Sequence, residues 1–210
     1  KMSKGIFSSF EGIDGCGKST QTELLYKYIM ASGRDVILTR EPGGTPISEK
    51  IRAIILDPEN KEESGVTEAL LYAASRAQLV SEKIRPALDI GSVVICDRFL
   101  DSSLAYQAYA RGLGEPVLMI NKFAVQGTLP DITFYLDIAP ELSRERQISR
   151  GKLDRLEQEG IELQKRVYEG YKRLAELYPK RIRVIDASAS VDCVFESIRK
   201  IYDSYVKERA

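Results

Sequence analysis

The chain contains no histidine and no tryptophan in 210 residues. Without histidine, no Ser-His or Cys-His nucleophile can be assembled and no imidazole can hold a metal. Any chemistry must run on carboxylates, arginines, lysines and hydroxyls. Cysteine is scarce as well. Cys16, Cys96 and Cys193 lie far apart with no paired metal spacing, and such an odd, scattered set points to a reducing cytoplasm rather than to disulfides. No leader is read at the start, where Met2 reads as the first natural residue after Lys1. Long apolar runs are missing, and none approaches the roughly 18 residues of a membrane span. Net charge is absent too: 31 Lys plus Arg balance 31 Asp plus Glu, so no broad field draws nucleic acid or an acidic membrane. Anion recognition has to be local.

What is present is an alternation of apolar strands with helical patterns from end to end, the signature of a parallel sheet wrapped by helices. Strands are expected at 6–10, 36–39, 93–96, 132–136 and 182–185. The run Val93-Val94-Ile95-Cys96 has the continuous apolar character of a central strand buried on both faces. Helices are expected over 20–31, 47–56, 67–88, two shorter ones within 102–126, and further ones after Pro140, around Val167–Tyr178 and from Val194 to the C-terminus. There is no internal repeat and no second core. Residues 1–210 therefore read as one α/β domain with five mostly parallel strands.

Residues 12–19 spell G-x-x-x-x-G-K-S between the first strand and the first helix. Such a loop turns its N–H groups and the helix dipole toward a bound phosphate. Gly12, Ile13, Asp14, Gly15, Cys16, Gly17, Lys18, Ser19 and Thr20 are the candidate nucleotide-binding residues. Lys18 is expected on the β- and γ-phosphates and the Ser19 hydroxyl on Mg²⁺, with ATP as the co-substrate. Cys16 equally fits as a small residue the loop can accommodate. A phosphate loop alone does not choose among hydrolases, motors, switches and kinases.

The choice rests on the stretch after the third apolar run. Asp97 ends that strand, where its carboxylate can hold the Mg²⁺ shell, and Arg98 beside it is a planar fork suited to a phosphate monoester. Taken alone the pair also reads as a structural ion pair. Residues 95–107, however, follow an apolar pair, D-R-aromatic, x-x-S-x-x-A-[FY]-x throughout, and here the chain resembles thymidylate kinases. The resemblance extends in order through Phe10-Glu11-Gly12, Arg40-Glu41-Pro42-Gly43-Gly44-Thr45, Tyr72…Arg76 and Arg150-Gly151-Lys152-Leu153-Asp154-Arg155.

The resemblance implies a P-loop NTPase fold, three layers α/β/α around a five-stranded parallel sheet, with a small helical lid near 149–160. It implies transfer of the ATP γ-phosphoryl to dTMP in the cytoplasm, and a homodimer. Tyr72 would stack on thymine, although a half-buried core aromatic has the same spacing. Arg76 would bond the base O4, Leu56 would press the other face of the base, and Ser103 would lie near it. Tyr106 would sit against the sugar C2′ and leave no room for a ribose hydroxyl. Asp14 would reach the 3′-hydroxyl and the acceptor phosphate, Arg40 would line the acceptor pocket, and Gln107 closes the same motif on the substrate side. Some relatives carry a loop arginine where this chain has Gly15. Members with glycine there supply it from the lid, which makes Arg150 and Arg155 the candidates beside Lys18, Arg98 and Asp14, unless the charges of 144–157 are simply a solvated face. A kinase of another nucleoside monophosphate or of a deoxynucleoside is the nearest alternative.

Overall fold

The structure, a computed structural model, describes residues 5–148 and 155–209. Strand β1 (Phe7–Glu11) leads through the glycine-rich loop into α1 (Lys18–Ala31), followed by β2 (Val36–Arg40), α2 (Pro46–Leu56) and α3 (Gly65–Leu79). Helix α3 continues through a π-helical turn (Val80–Ile84) into α4 (Arg85–Asp89). Pro86 explains the widened turn: it offers no N–H to the carbonyl four residues back, and its ring crowds that carbonyl. Next come β3 (Val93–Asp97), the short α5 (Leu100–Ser103) running into a π-helical segment (Leu104–Ala110), α6 (Glu115–Ala124) and β4 (Ile132–Asp137). The chain ends with α7 (Pro140–Ile148), a 3₁₀ turn (Glu157–Glu159), α8 (Ile161–Leu177), β5 (Ile182–Asp186) and α9 (Val191–Arg209).

The sheet order is β2-β3-β1-β4-β5 and every pairing is parallel. The expected strands and helices therefore appear, most with ends shifted by a residue or two, but α8 begins at Ile161 rather than near Val167, α9 at Val191 rather than Val194, and the single helix expected over 67–88 is three consecutive segments. The central strands β1, β3 and β4 are buried almost throughout, whereas the edge strands β2 and β5 are partly exposed. Their apolar residues, with Phe7, Phe10, Phe99, Phe134 and Leu136 fully enclosed, form one core on both sides of the sheet. The chain passes from β1 to β2 and back to β3 on one side of β1, then crosses over to β4 and β5 on the other. Open parallel sheets form their crevice at the carboxyl end of such a switch point, and there Phe10 is level with Asp97 and Phe134. No helix among the described residues is long and apolar enough to cross a membrane.

Candidate active site

The crevice is a cleft of about 360 Å³ above the carboxyl ends of β1, β2 and β3. Its floor is the loop before α1. Gly17 caps that helix in the left-handed region at φ 99° and no side chain caps its first N–H groups, which leaves them open to an anion. Gly15 also has a positive φ, and a Cβ there would run into the Ser143 carbonyl oxygen. Ser143 belongs to α7 and donates its hydroxyl to the Asp14 carbonyl at 2.7 Å, so α7 closes that side of the loop. The Lys18 ammonium folds over the loop onto the carbonyls of Gly12 and Ile13, both at 3.0 Å. Gly12, Ile13 and Cys16 lie buried behind the loop; Asp14, Gly15, Gly17, Lys18, Ser19 and Thr20 face the cleft.

Across the cleft stands the segment that follows β3. The Ser19 hydroxyl donates to Asp97 at 2.8 Å. Arg98 adopts φ 69°, a left-handed conformation uncommon for a side-chain-bearing residue. One terminal nitrogen donates to the Gly12 carbonyl at 2.9 Å and to the Ser102 and Tyr171 hydroxyls, each at 3.0 Å. The other meets Asp14 at 2.5 Å and the Tyr106 hydroxyl at 3.3 Å. Tyr106 donates to the second Asp14 oxygen at 2.8 Å, and its ring lies under the guanidinium, 5.2 Å from the centroid. Burial pushes the Asp14 carboxyl up, but Arg98, Lys18 and the Tyr106 hydroxyl outweigh it and hold that carboxyl well below the usual range.

Arg40, Leu56, Tyr72 and Gln107 line the same cleft. Arg40 is held in a fork by Glu49 at 2.8 and 3.0 Å. Gln107 donates to Glu68 at 2.9 Å, and its buried carbonyl oxygen has no partner among the described residues. Two expected wall residues lie behind the wall instead. Arg76 is fully buried and donates to Glu41, the Phe99 carbonyl, Ser103 and Asn121, so its guanidinium is already enclosed by acceptors. Ser103 sits with it. Both support the cleft wall from beneath rather than forming its surface.

The two arginines expected in a lid differ in what the structure describes of them. Arg150 lies outside the described residues. Arg155, expected at the transferring phosphoryl, is instead bound to Glu68 at 2.7 Å, to Glu63 at 3.2 Å and to the Ile55 carbonyl at 2.8 Å. Glu68, 1% exposed, also takes Arg111 at 2.9 Å, which in turn pairs with Glu159. Burial works against ionisation of Glu68, but the bonds from Arg111, Gln107 and Arg155 hold its carboxyl below the ordinary value.

Some cleft residues had no role assigned from the sequence, although Glu41, Pro42 and Ser102 lie within its motifs. Glu41, Pro42, Arg52, Ser102, Leu156 and Glu157 also line the cleft, and the Glu41–Pro42 bond is cis. Glu11 and Glu41 are buried carboxyls pushed up to about 7. For Glu11 burial and then Asp101 raise it against Ser102, Arg98 and Phe99; for Glu41 burial outweighs Arg76. The available signal was a glutamate closing a buried strand, Glu11, and another just past the end of a strand, Glu41. Among the described residues no group of three or more His, Cys, Asp or Glu could hold a metal by itself. The Ser19–Asp97 pair is an oxygen donor set that suits a hard cation only if phosphate oxygens and water complete the shell.

A glycine-rich loop delivering a lysine and a hydroxyl, faced by an arginine-bearing acceptor wall, defines a P-loop nucleotide kinase. Comparison with known proteins agrees and is narrower. The family model described as Thymidylate kinase matches residues 10–198. Thymidylate kinase of Caldanaerobacter subterraneus subsp. tengcongensis is 52% identical over 205 residues, covering 97% of this chain and 98% of the relative. That of Geobacillus sp. strain WCH70 is 52% identical over 196 residues, covering 91% and 93%. The crystal structure of thymidylate kinase from Ehrlichia chaffeensis superposes with a TM-score of 0.78 at 30% identity, covering 95% of this chain and 99% of that one. The chain belongs to the thymidylate kinase family.

Proposed function

We propose that this chain transfers the γ-phosphoryl of ATP to dTMP, giving ADP and dTDP. The observation that carries the reading is the contact of Arg98 with Asp14 and the Gly12 carbonyl, which puts an acceptor-side cation directly on the donor loop. The acceptor phosphate has its second pKa near about 6 and is largely a dianion at neutral pH, so no general base is needed and the absence of histidine is no obstacle. Catalysis is then alignment and charge neutralisation. Lys18 exchanges two loop carbonyls for the β- and γ-phosphate oxygens. Arg98 turns from Asp14 to the acceptor phosphate, and the freed Asp14 carboxylate takes the sugar 3′-hydroxyl. Tyr72 and Leu56 offer an aromatic and an apolar face to the base, and Tyr106 fills the space a ribose 2′-hydroxyl would need. Ser19 and Asp97 would hold Mg²⁺, which supplies further neutralisation of the phosphates when bound. Arg150 carries the lid contribution at the transferring group, while Arg155 fastens the lid's C-terminal end to α3.

Residues 1–210 act as one domain in this reading, in the reducing cytoplasm that three free cysteines suit. The active form is a homodimer: adjacent helices α3 and α6 expose Val66, Leu70, Met119 and Phe123, the last 87% accessible in the lone chain. The test is an ADP-release assay with ATP and a panel of nucleosides and monophosphates. dTMP should give the highest kcat/KM by more than tenfold; no ADP release with dTMP would end the proposal. Preference for another monophosphate would replace the acceptor and leave the reaction class.

A further inference from the structure

Glu11 closes β1 one residue before the phosphate loop and is wholly buried. No part of the reaction described above uses it, yet its carboxylate is fully engaged. One oxygen accepts the Phe99 N–H at 2.8 Å. The other accepts the Ser102 hydroxyl at 2.6 Å and the Tyr171 hydroxyl at 3.0 Å. These two hydroxyls are the ones that accept from the same terminal nitrogen of Arg98, each at 3.0 Å. Phe99 is the next residue after Arg98, so the third bond fixes the backbone immediately beyond the strained position.

A hydroxyl has one hydrogen to give and lone pairs to accept with. When Glu11 is ionised, both hydrogens are drawn toward it rather than into the 2.8 Å contact between the two hydroxyls, and the lone pairs of Ser102 and Tyr171 face the Arg98 guanidinium. Reversing that polarity would turn a hydroxyl hydrogen toward a cationic N–H. We infer that Glu11 is the positioning residue for Arg98: acting through Ser102 and Tyr171, it sets the direction in which the acceptor-side guanidinium is held. The inference rests on the acceptor role proposed for Arg98.

Glu11→Gln tests it with little change of shape. Because the Phe99 N–H demands an acceptor, the glutamine carbonyl must take that side and its NH₂ must face the two hydroxyls, which reverses their polarity. Steady-state kinetics with ATP and dTMP at a pH of about 8.5, above the raised Glu11 value of about 7, should show the dTMP KM rising roughly tenfold or more, the scale of a lost hydrogen bond to a charged group, with the ATP KM within twofold of wild type. Tyr171→Phe, which removes one bridging hydroxyl and keeps the ring, should move the same parameter in the same direction by less. In an Arg98→Ala background, Glu11→Gln should add nothing to the dTMP KM. Equal effects on both KM values, an unchanged dTMP KM in Glu11→Gln and Tyr171→Phe, or an undiminished Glu11→Gln effect without Arg98 would overturn the inference. If Arg98→Ala itself leaves the dTMP KM unchanged, the acceptor assignment fails. If Arg98→Ala raises it and Glu11→Gln does not, only the positioning role fails.

Discussion

At the scale of single residues, Arg98 concentrates the cost and the purpose of the site. A side chain held at φ 69° costs about 1–3 kcal/mol and persists only where its surroundings over-determine it. Here its N–H donates to the Phe10 carbonyl at 2.9 Å and its guanidinium meets five oxygens. The strain turns the side chain back across the carboxyl end of β1, where a phosphate on the loop would meet it. Arg98→Ala should raise the dTMP KM at least tenfold and lower kcat. Arg98→Lys should recover little, because a point charge cannot reproduce the fork. Kinetics at saturating ATP measure both, and near-normal constants in either variant would remove Arg98 from the acceptor site. Tyr106 separates into ring and hydroxyl. Tyr106→Phe deletes the 2.8 Å bond to Asp14 but keeps the ring; it should lower activity while preserving the preference for dTMP over its ribose analogue. Tyr106→Ala opens the space and should narrow that preference several-fold. An unchanged ratio in Tyr106→Ala would refute the steric account.

At the scale of elements, the sheet was readable because strands buried on both faces become continuous apolar runs, as in Val93–Cys96, and each ends where ligands gather. The phosphate loop was readable because its spacing is local. What lay beyond reach were partners set by tertiary packing. Arg76 meets Glu41 across 35 residues and Asn121 across 45, and no period along the chain announces either. The resemblance implied a residue facing the base, whereas Glu41, Ser103 and Asn121 take the guanidinium inward, beneath the wall. The same holds for Glu68, whose polar partners come from two other segments, Gln107 and Arg111 from one and Arg155 from the other. That clasp ties the start of α3 to Arg155 and, through Arg111, to Glu159 at the foot of α8. The two lid arginines should therefore answer differently to mutation. Arg150→Ala should lower kcat by a hundredfold or more with little change in the ATP KM, as loss of an arginine at a transferring phosphoryl does. Arg155→Ala should have the smaller effect on kcat and should also lower the melting temperature, since it leaves Glu68 and Glu63 short of a buried partner. Equal kcat losses without a stability change in Arg155→Ala would put Arg155 back among the phosphates.

At the scale of the whole molecule, the missing histidines leave the neutral pH range to buried carboxyls. Glu11 and Glu41 are both pushed from 4.5 to about 7, chiefly by burial. The groups facing Glu11 are Asp101, itself paired with Arg181, then Arg98, Tyr171 and Cys96, whose thiol is pushed far up and stays neutral. A carboxyl whose folded pKa is raised binds its proton more tightly when folded. Its contribution is complete below the unfolded value near 4.5 and is lost as pH rises through about 7. Asp14, Glu49 and Glu68 are shifted the other way, so their contribution disappears only as pH falls below about 4. The interval from pH 5 to pH 8 therefore belongs chiefly to Glu11 and Glu41, with Glu63, which burial also pushes up, adding in the same direction, and unfolding free energy should fall across it by an amount on the order of 3 kcal/mol at most for each of the first two. Urea unfolding at a series of pH values measures this directly. Wild type should lose stability steadily toward pH 8, and Glu11→Gln, whose amide does not titrate, should remove about half of the slope and be relatively more stable at the alkaline end. A flat wild-type profile, or a Glu11→Gln slope equal to wild type, would mean that Glu11 stays ionised in the fold across this range. The Asp101–Arg181 pair and the Arg98 guanidinium would then be enough to hold its charge inside the core.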